Sequence, residues 1–128
     1  MAFEFLRSEN SASPIEKEVE ATNATTYKHG CLVNYDPITG KAITTTGTPE
    51  FVYTGKDIVA KTGDKLACIV CFPEYEFETI MAASGASLKA GVKVTTDGEK
   101  ATATSVSGVF ELLSGGAASG AKVVGKFS

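Results

Sequence analysis

The stretch Lys65–Phe72, KLACIVCF, decides how this chain is read. Its Cys68-Ile-Val-Cys71 spacing suits a redox pair or half of a zinc site, whereas its neighbours suit a buried β-strand. Redox Cys-x-x-Cys motifs place the first thiol at a helix N-terminus, where the dipole lowers its pKa. Here the motif lies in an apolar, β-rich run between the Gly63-Asp64 turn and Pro73. Side chains of a strand alternate between two faces. Leu66, Cys68, Val70 and Phe72 then share one face, and Ala67, Ile69 and Cys71 the other. Thiols on opposite faces can neither pair nor share a metal. Zinc would need further ligands, and the chain offers only His29 and Cys31, whose HGC spacing is not that of a zinc knuckle. The cysteines are expected to be buried and structural.

The same rhythm runs through most of the chain. CLVNY (31–35) leads into the Asp36-Pro37 turn, and KAITTT (41–46) follows Gly40. FVYT (51–54), IVA (58–60) and YEFETIM (75–81) come next. In the last of these, Tyr75, Phe77 and Thr79 alternate with Glu74, Glu76 and Glu78, the pattern of a strand with one wet face. Asp97-Gly98 between VKVTT and KATATSV is a strong hairpin signal. A closing strand, AKVVGKF, follows a glycine-rich loop. Only AASGASL and GGAAS suggest a helical turn. Roughly nine or ten short strands separated by turns predict an all-β fold, a small barrel or sandwich of antiparallel strands.

At 128 residues the chain fits one domain, or at most two very small ones. Residues 21–128 are expected to form the β-domain, and residues 1–20 an extended N-terminal arm. That arm has an apolar head (Phe3, Phe5, Leu6) beside Arg7, a Ser/Asn/Pro stretch, and an acidic EKEVE, in which SPIEKEVE could open a short helix. Phe3, Phe5, Leu6 and Arg7 are the candidate partner-binding residues, because on a free arm they order best against a neighbouring subunit. The net charge of −3 and the lone Arg7, with lysines scattered singly, argue against nucleic-acid binding. No run reaches the roughly 18 apolar residues of a membrane helix. Glu4 stands where a secretory signal needs positive charge, so synthesis in the cytoplasm is expected, and an odd cysteine count of three fits reduced thiols.

Two segments repeat loosely. Lys28, Gly30, Val33 and Asp36 fall opposite Lys89, Gly91, Val94 and Asp97 at one constant offset. Downstream, Gly63 and Lys65 match Gly120 and Lys122. A repeated β-unit with glycines in its turns favours a fold of two similar halves.

No catalytic constellation emerges. His29 is the single histidine and sits beside Gly30 in a turn. Asp36, Asp57, Asp64 and Asp97 read as turn residues. GGAASG lacks the Lys-Ser/Thr of a phosphate loop, and Lys100 lies past its hairpin turn without the surroundings of a carrier lysine. The chain is expected to be no enzyme and to need no metal or cofactor.

YKHGCLVNYDPITGKAI, TGKDIVAKTGDKLACIV and GVFELLSGGAASGAKVVGKF together resemble the small capsid cement, or head decoration, proteins of tailed bacteriophages. The matching residues are Gly30, Val33, Gly91, Val94, Asp97, Gly98, Gly108, Val109, Leu112, Gly120 and Val123. The resemblance implies a β-rich structural virion protein that docks as a homo-oligomer, often a trimer, on the outer capsid surface. There it would bind the major capsid protein and staple the head. A phage tail or baseplate component, or another non-catalytic β-sandwich adaptor, is the alternative. The extra N-terminal residues and the cysteines depart from the resemblance.

Overall fold

A computed structural model describes residues 3–10 and 12–128. Twelve strands are found among them: β1 Glu4–Ser8, β2 Glu16–Glu20, β3 Thr26–Tyr27, β4 Leu32–Tyr35, β5 Ala42–Thr44, β6 Phe51–Tyr53, β7 Ile58–Val59, β8 Lys65–Val70, β9 Tyr75–Ile80, β10 Lys93–Val94, β11 Phe110–Leu112 and β12 Lys122–Phe127. The fold is all-β, a small sandwich whose sheets are antiparallel, with no helix among the described residues. The two weak helical suggestions, AASGASL and GGAAS, are bends and turns instead. Their Gly and Ser content costs too much backbone entropy for a helix that packing does not support.

One sheet runs β2-β8-β6-β4-β5 and the other β1-β9-β12-β11-β10, while β3 and β7 form a two-stranded third. Strands β2 to β8 make a first lobe, and β9 to β12 a second built on the same plan. In lobe 1 the Gly30 amide donates to the Tyr53 carbonyl, and in lobe 2 the Gly91 amide donates to that of Leu112, both at 2.7 Å. Ala21 donates to Asp64 at 2.8 Å, and Met81 to Ala121 at 3.0 Å. One parallel bridge recurs at the matching place in each lobe, from Ala21, just past β2, to Ala42 in lobe 1 and from Met81, just past β9, to Ala101 in lobe 2. Gly63 and Gly120, at φ +89° and +80°, turn the chain into β8 and β12 at the same place. The loose sequence repeat is therefore a structural duplication.

Duplication extends to the interiors. Tyr27, Cys31, Val33, Phe51 and Leu66 fill lobe 1, and Leu88, Val92, Val94, Phe110 and Val123 occupy the matching places in lobe 2. Cys68 is matched by Gly125, where any Cβ would run into the Phe110 ring and the Glu111 carbonyl.

The outer faces of the two sheets differ, and the difference orders the lobes. Leu32, Val52 and Ile69 lie across neighbouring strands on the outside of the lobe 1 sheet. They pack into the core of lobe 2. Their counterparts on lobe 2 are Lys93, Glu111 and Lys126, a cross-strand charge ladder. An apolar outer face invites a second lobe, and a charged one ends the stack.

The segment expected as a separate arm is built into both sheets. Strand β1 pairs with β9 through Glu4, Phe5, Arg7 and Ser8. Strand β2 pairs with β8 along its whole length. Phe3 is 1% exposed and packs against Phe110 and Phe127 with ring centroids 5.2 and 5.1 Å apart. Phe3, and in part Phe5, expected to wait for a neighbouring subunit, have found a partner within the chain, while Leu6 stays at the surface. Pro14 separates β1 from β2 as an inter-strand turn would require, and no helix starts there.

Candidate binding surface

KLACIV, Lys65–Val70, forms β8, while Cys71 and Phe72 lie past its end and Phe72, expected on the Cys68 face, packs against the core of lobe 2; the thiols part company. Cys68 joins the core of lobe 1, while Cys71, just past the strand, packs against that of lobe 2. Burial pushes the Cys31 thiol up to about 11 and the Cys68 thiol up to about 12. Burial likewise raises the Cys71 thiol. Thiolates are the reactive form, so these cysteines act as small apolar side chains.

His29 closes the seam between β1 and lobe 1. Its Nδ1 lies 3.0 Å from the Gly55 carbonyl oxygen and 3.2 Å from that of Thr54, and Nε2 lies 3.3 Å from the Glu4 carboxylate. With acceptors on both sides, the ring suits the doubly protonated form. Its pKa is raised, first by the Gly55 carbonyl, against an opposing contribution from partial burial and with help from Glu4. The backbone amide of His29 donates to Asp57 Oδ1 at 2.8 Å. These contacts make His29 a clamp between elements.

The aspartates serve turns. Asp36 accepts from the Ile38 amide at 2.9 Å, Asp64 from Lys61 at 2.9 Å, and Asp97 from Glu99 and Lys100 at 2.9 and 2.7 Å. A cleft of about 570 Å³ between the lobes is lined by Thr26, Lys28, Thr44, Thr46, Asp97 and Glu99, with Cys31 on its wall. Its hydroxyls and opposed charges bring no activated nucleophile together. Among the described residues, no three His, Cys, Asp or Glu side chains converge.

The residues expected to contact a partner divide. Phe3 is core. Phe5 is half-buried, its ring edge-on to Tyr75 and Phe77 at 5.3 and 5.9 Å. Leu6 is 37% exposed, and Arg7 donates to Glu76 at 3.0 Å from the surface. Only Leu6 and the outer side of Arg7 remain available to another molecule.

Two features of lobe 1 were missed in the sequence. The β4–β5 hairpin turns through Asp36–Gly40, with Gly40 donating back to the Asp36 carbonyl at 2.8 Å. This hydrogen-bonded tip holds Ile38 91% exposed. The matching tip of lobe 2, around Gly98, is two residues shorter and lies against lobe 1. There the Leu32 amide donates to the Gly98 carbonyl at 2.9 Å, and the Thr96 hydroxyl to that of Thr46 at 3.2 Å. The other feature is the outer edge of β2. Lobe 2 carries β1 on the corresponding edge of β9, whereas β2 ends its sheet. The signal was present as the paired spacing of Glu16 and Glu18 with Glu76 and Glu78, but it becomes legible only once both segments are known to be edges.

Comparison with known proteins finds no matching family model, no match among curated proteins and no match among solved structures. Fold and surface therefore define this chain only as a duplicated all-β sandwich.

Proposed function

We propose that this chain is a non-catalytic structural virion protein that binds the outer surface of a phage capsid and cements the head. In this reading it docks as a homo-oligomer, a trimer, against the major capsid protein. The single observation that supports it best is the unmatched hairpin tip at Ile38. The equivalent tip of lobe 2 is used inside the molecule, whereas that of lobe 1 presents a β-branched side chain on a hydrogen-bonded turn that packs on nothing. A held apolar side chain avoids the ordering cost that a flexible one incurs on binding. Many copies on one particle then add avidity without tight single contacts. The turns and core positions that carry the sequence resemblance, among them Gly30, Val33, Gly91, Val94 and Gly120, build the scaffold that holds this tip.

Co-sedimentation with heads and tails of the phage that encodes the chain tests the reading. Binding to expanded heads, with increased resistance of those heads to heat, is the expected result. Binding to isolated tails alone would transfer the chain to the tail or baseplate class.

A further inference from the structure

The internal duplication supplies a reference for what is missing from lobe 1. On lobe 2, β1 runs antiparallel along β9, with Phe5 opposite Phe77, Arg7 opposite Glu76 and Glu4 opposite Glu78. Phe5 covers Tyr75 and Phe77, and Arg7 pairs with Glu76 at 3.0 Å. On lobe 1 the counterparts of Tyr75, Glu76, Phe77 and Glu78 are Ile15, Glu16, Lys17 and Glu18. The correspondence follows from register, since β9 meets β12 as β2 meets β8. Among the described residues no strand pairs along their outer edge, and the bridge from Ala21 to Ala42 begins only past β2. Ile15 is 53% exposed, and Glu16 and Glu18 form no ion pair among the described residues.

The place that Phe3 fills in lobe 2 is already taken in lobe 1. Tyr35 stands edge-on to Phe51 at 5.0 Å, as Phe3 stands edge-on to Phe110 at 5.2 Å. Lys17 extends over the Tyr35 ring, 5.5 Å from its centre. What stays uncovered is narrower than a whole groove: a strand edge, one apolar side chain and two carboxylates.

We propose that the outer edge of β2 accepts an extended segment of a second protein, added antiparallel as one more strand. That segment carries an apolar residue opposite Lys17, seated on Ile15, and a basic residue opposite Glu16. Charged side chains on an edge strand usually discourage pairing. Here β9 carries glutamates at the same two positions and is paired nonetheless, with Arg7 opposite Glu76 and Glu4 opposite Glu78, so an acidic edge does not merely repel and the place opposite Glu16 selects a basic residue. Strand addition gives main-chain hydrogen bonds for affinity and alternate side-chain contacts for specificity. A second copy of this chain is disfavoured as the donor. Its own matching strand is β1, and withdrawing β1 would uncover Phe3 together with Phe110 and Phe127. The hairpin tip lies on the same side of the lobe, tied to β2 by Lys41 and Glu20 at 3.3 Å. The inference rests on duplication within the chain and stands apart from the identity of the particle.

The test uses the full chain, isotopically labelled, and a synthetic peptide of its own residues 3–9, FEFLRSE, as the probe. Saturable NMR shifts at Ile15, Glu16, Lys17 and Glu18, with slowed exchange of the Glu16 and Glu18 amides, are expected. A Glu16→Lys chain that keeps the wild-type β circular dichroism should bind about tenfold more weakly or worse, as should a peptide with Arg7→Glu. Absence of saturable shifts at millimolar peptide overturns the proposal. So do shifts confined to Glu76 and Glu78, which would show the peptide replacing β1. A dimer of the chain alone that Glu16→Lys dissolves would assign the edge to a second copy and equally refute it. None of these outcomes depends on heads, so failure here is distinct from failure to bind a capsid.

Discussion

Replacing Phe3 with alanine removes a ring that is 1% exposed and set among Phe110 and Phe127. An aromatic side chain of this kind takes roughly 150–250 Å² out of water, worth about 4–6 kcal/mol at 25 cal/mol per Å² as an upper bound. Measured Phe-to-Ala costs in cores run at about 3–5 kcal/mol. One factor lowers the figure: β1 is the edge strand of its sheet and can detach as a unit, which limits the loss to what the segment contributes as a whole. We expect about 3 kcal/mol, a large share of a domain's usual stability. Urea unfolding followed by far-ultraviolet circular dichroism should show the midpoint falling by roughly 1–2 M. Leu6→Ala, on the outer side of the same strand, should cost less than about 1 kcal/mol. Equal midpoints for Phe3→Ala and the wild type would mean that the N-terminal segment is not part of the core, and the account of β1 would fail.

Gly63→Ala and Gly120→Ala should be destabilising by similar amounts, about 1–2 kcal/mol each. Both sit at positive φ with nothing within 4 Å of an added Cβ, so backbone strain alone sets the cost. Markedly unequal losses in urea melts would count against the duplicated turn. Cys68→Ser should cost about 1–3 kcal/mol by placing an unpaired hydroxyl in the core, and fast reaction of native Cys68 with a thiol reagent would contradict its burial. Because burial holds Cys31 and Cys68 protonated, the native state keeps protons that the unfolded chain releases above about pH 9. Their contribution to stability is full below that pH and declines as it rises towards about 11, so urea midpoints should fall across that window and fall less in Cys31→Ala. His29 has the opposite origin and the same direction. Its raised pKa stabilises the β1 clamp below about pH 6.5, and the contribution fades as the pH rises through the native value. NMR titration of its ring protons should give a midpoint above that of an unfolded reference peptide, and His29→Ala should remove the pH dependence of β1 amide exchange.

Local pattern was enough for most strands after residue 20, and not for β1 and β2. The alternation of Tyr75, Phe77 and Thr79 with glutamates marks β9 without further help, and the two-residue period orders Leu66, Cys68 and Val70 against Ile69 within β8, though it stops at Val70 and misplaces Phe72. Repeated Gly30/Gly91 and Gly63/Gly120 spacing announced the duplication, because only a turn at positive φ needs glycine at those places. What stayed hidden was long-range. Phe3 reads as an exposed side chain on a tail until Phe110 and Phe127, distant in sequence, are brought beside it. Phe-x-Phe and the glutamates of β9 carry no local sign that they pair. The candidate surface was hidden for the same reason, since a strand edge is defined by the partner it lacks, and the lone Ile38 looks like any turn residue until its counterpart in lobe 2 is seen docked.

The proposal that the Ile38 tip fastens this protein to a capsid is tested most directly by sedimenting expanded heads with the wild type and with Ile38→Asp. Ile38 is 91% exposed and contributes nothing to the core, so the variant should fold and melt like the wild type. The account predicts that the wild type pellets with the heads and protects them from heat while Ile38→Asp stays in the supernatant. Equal sedimentation of the two proteins, or no binding by the wild type, would contradict it.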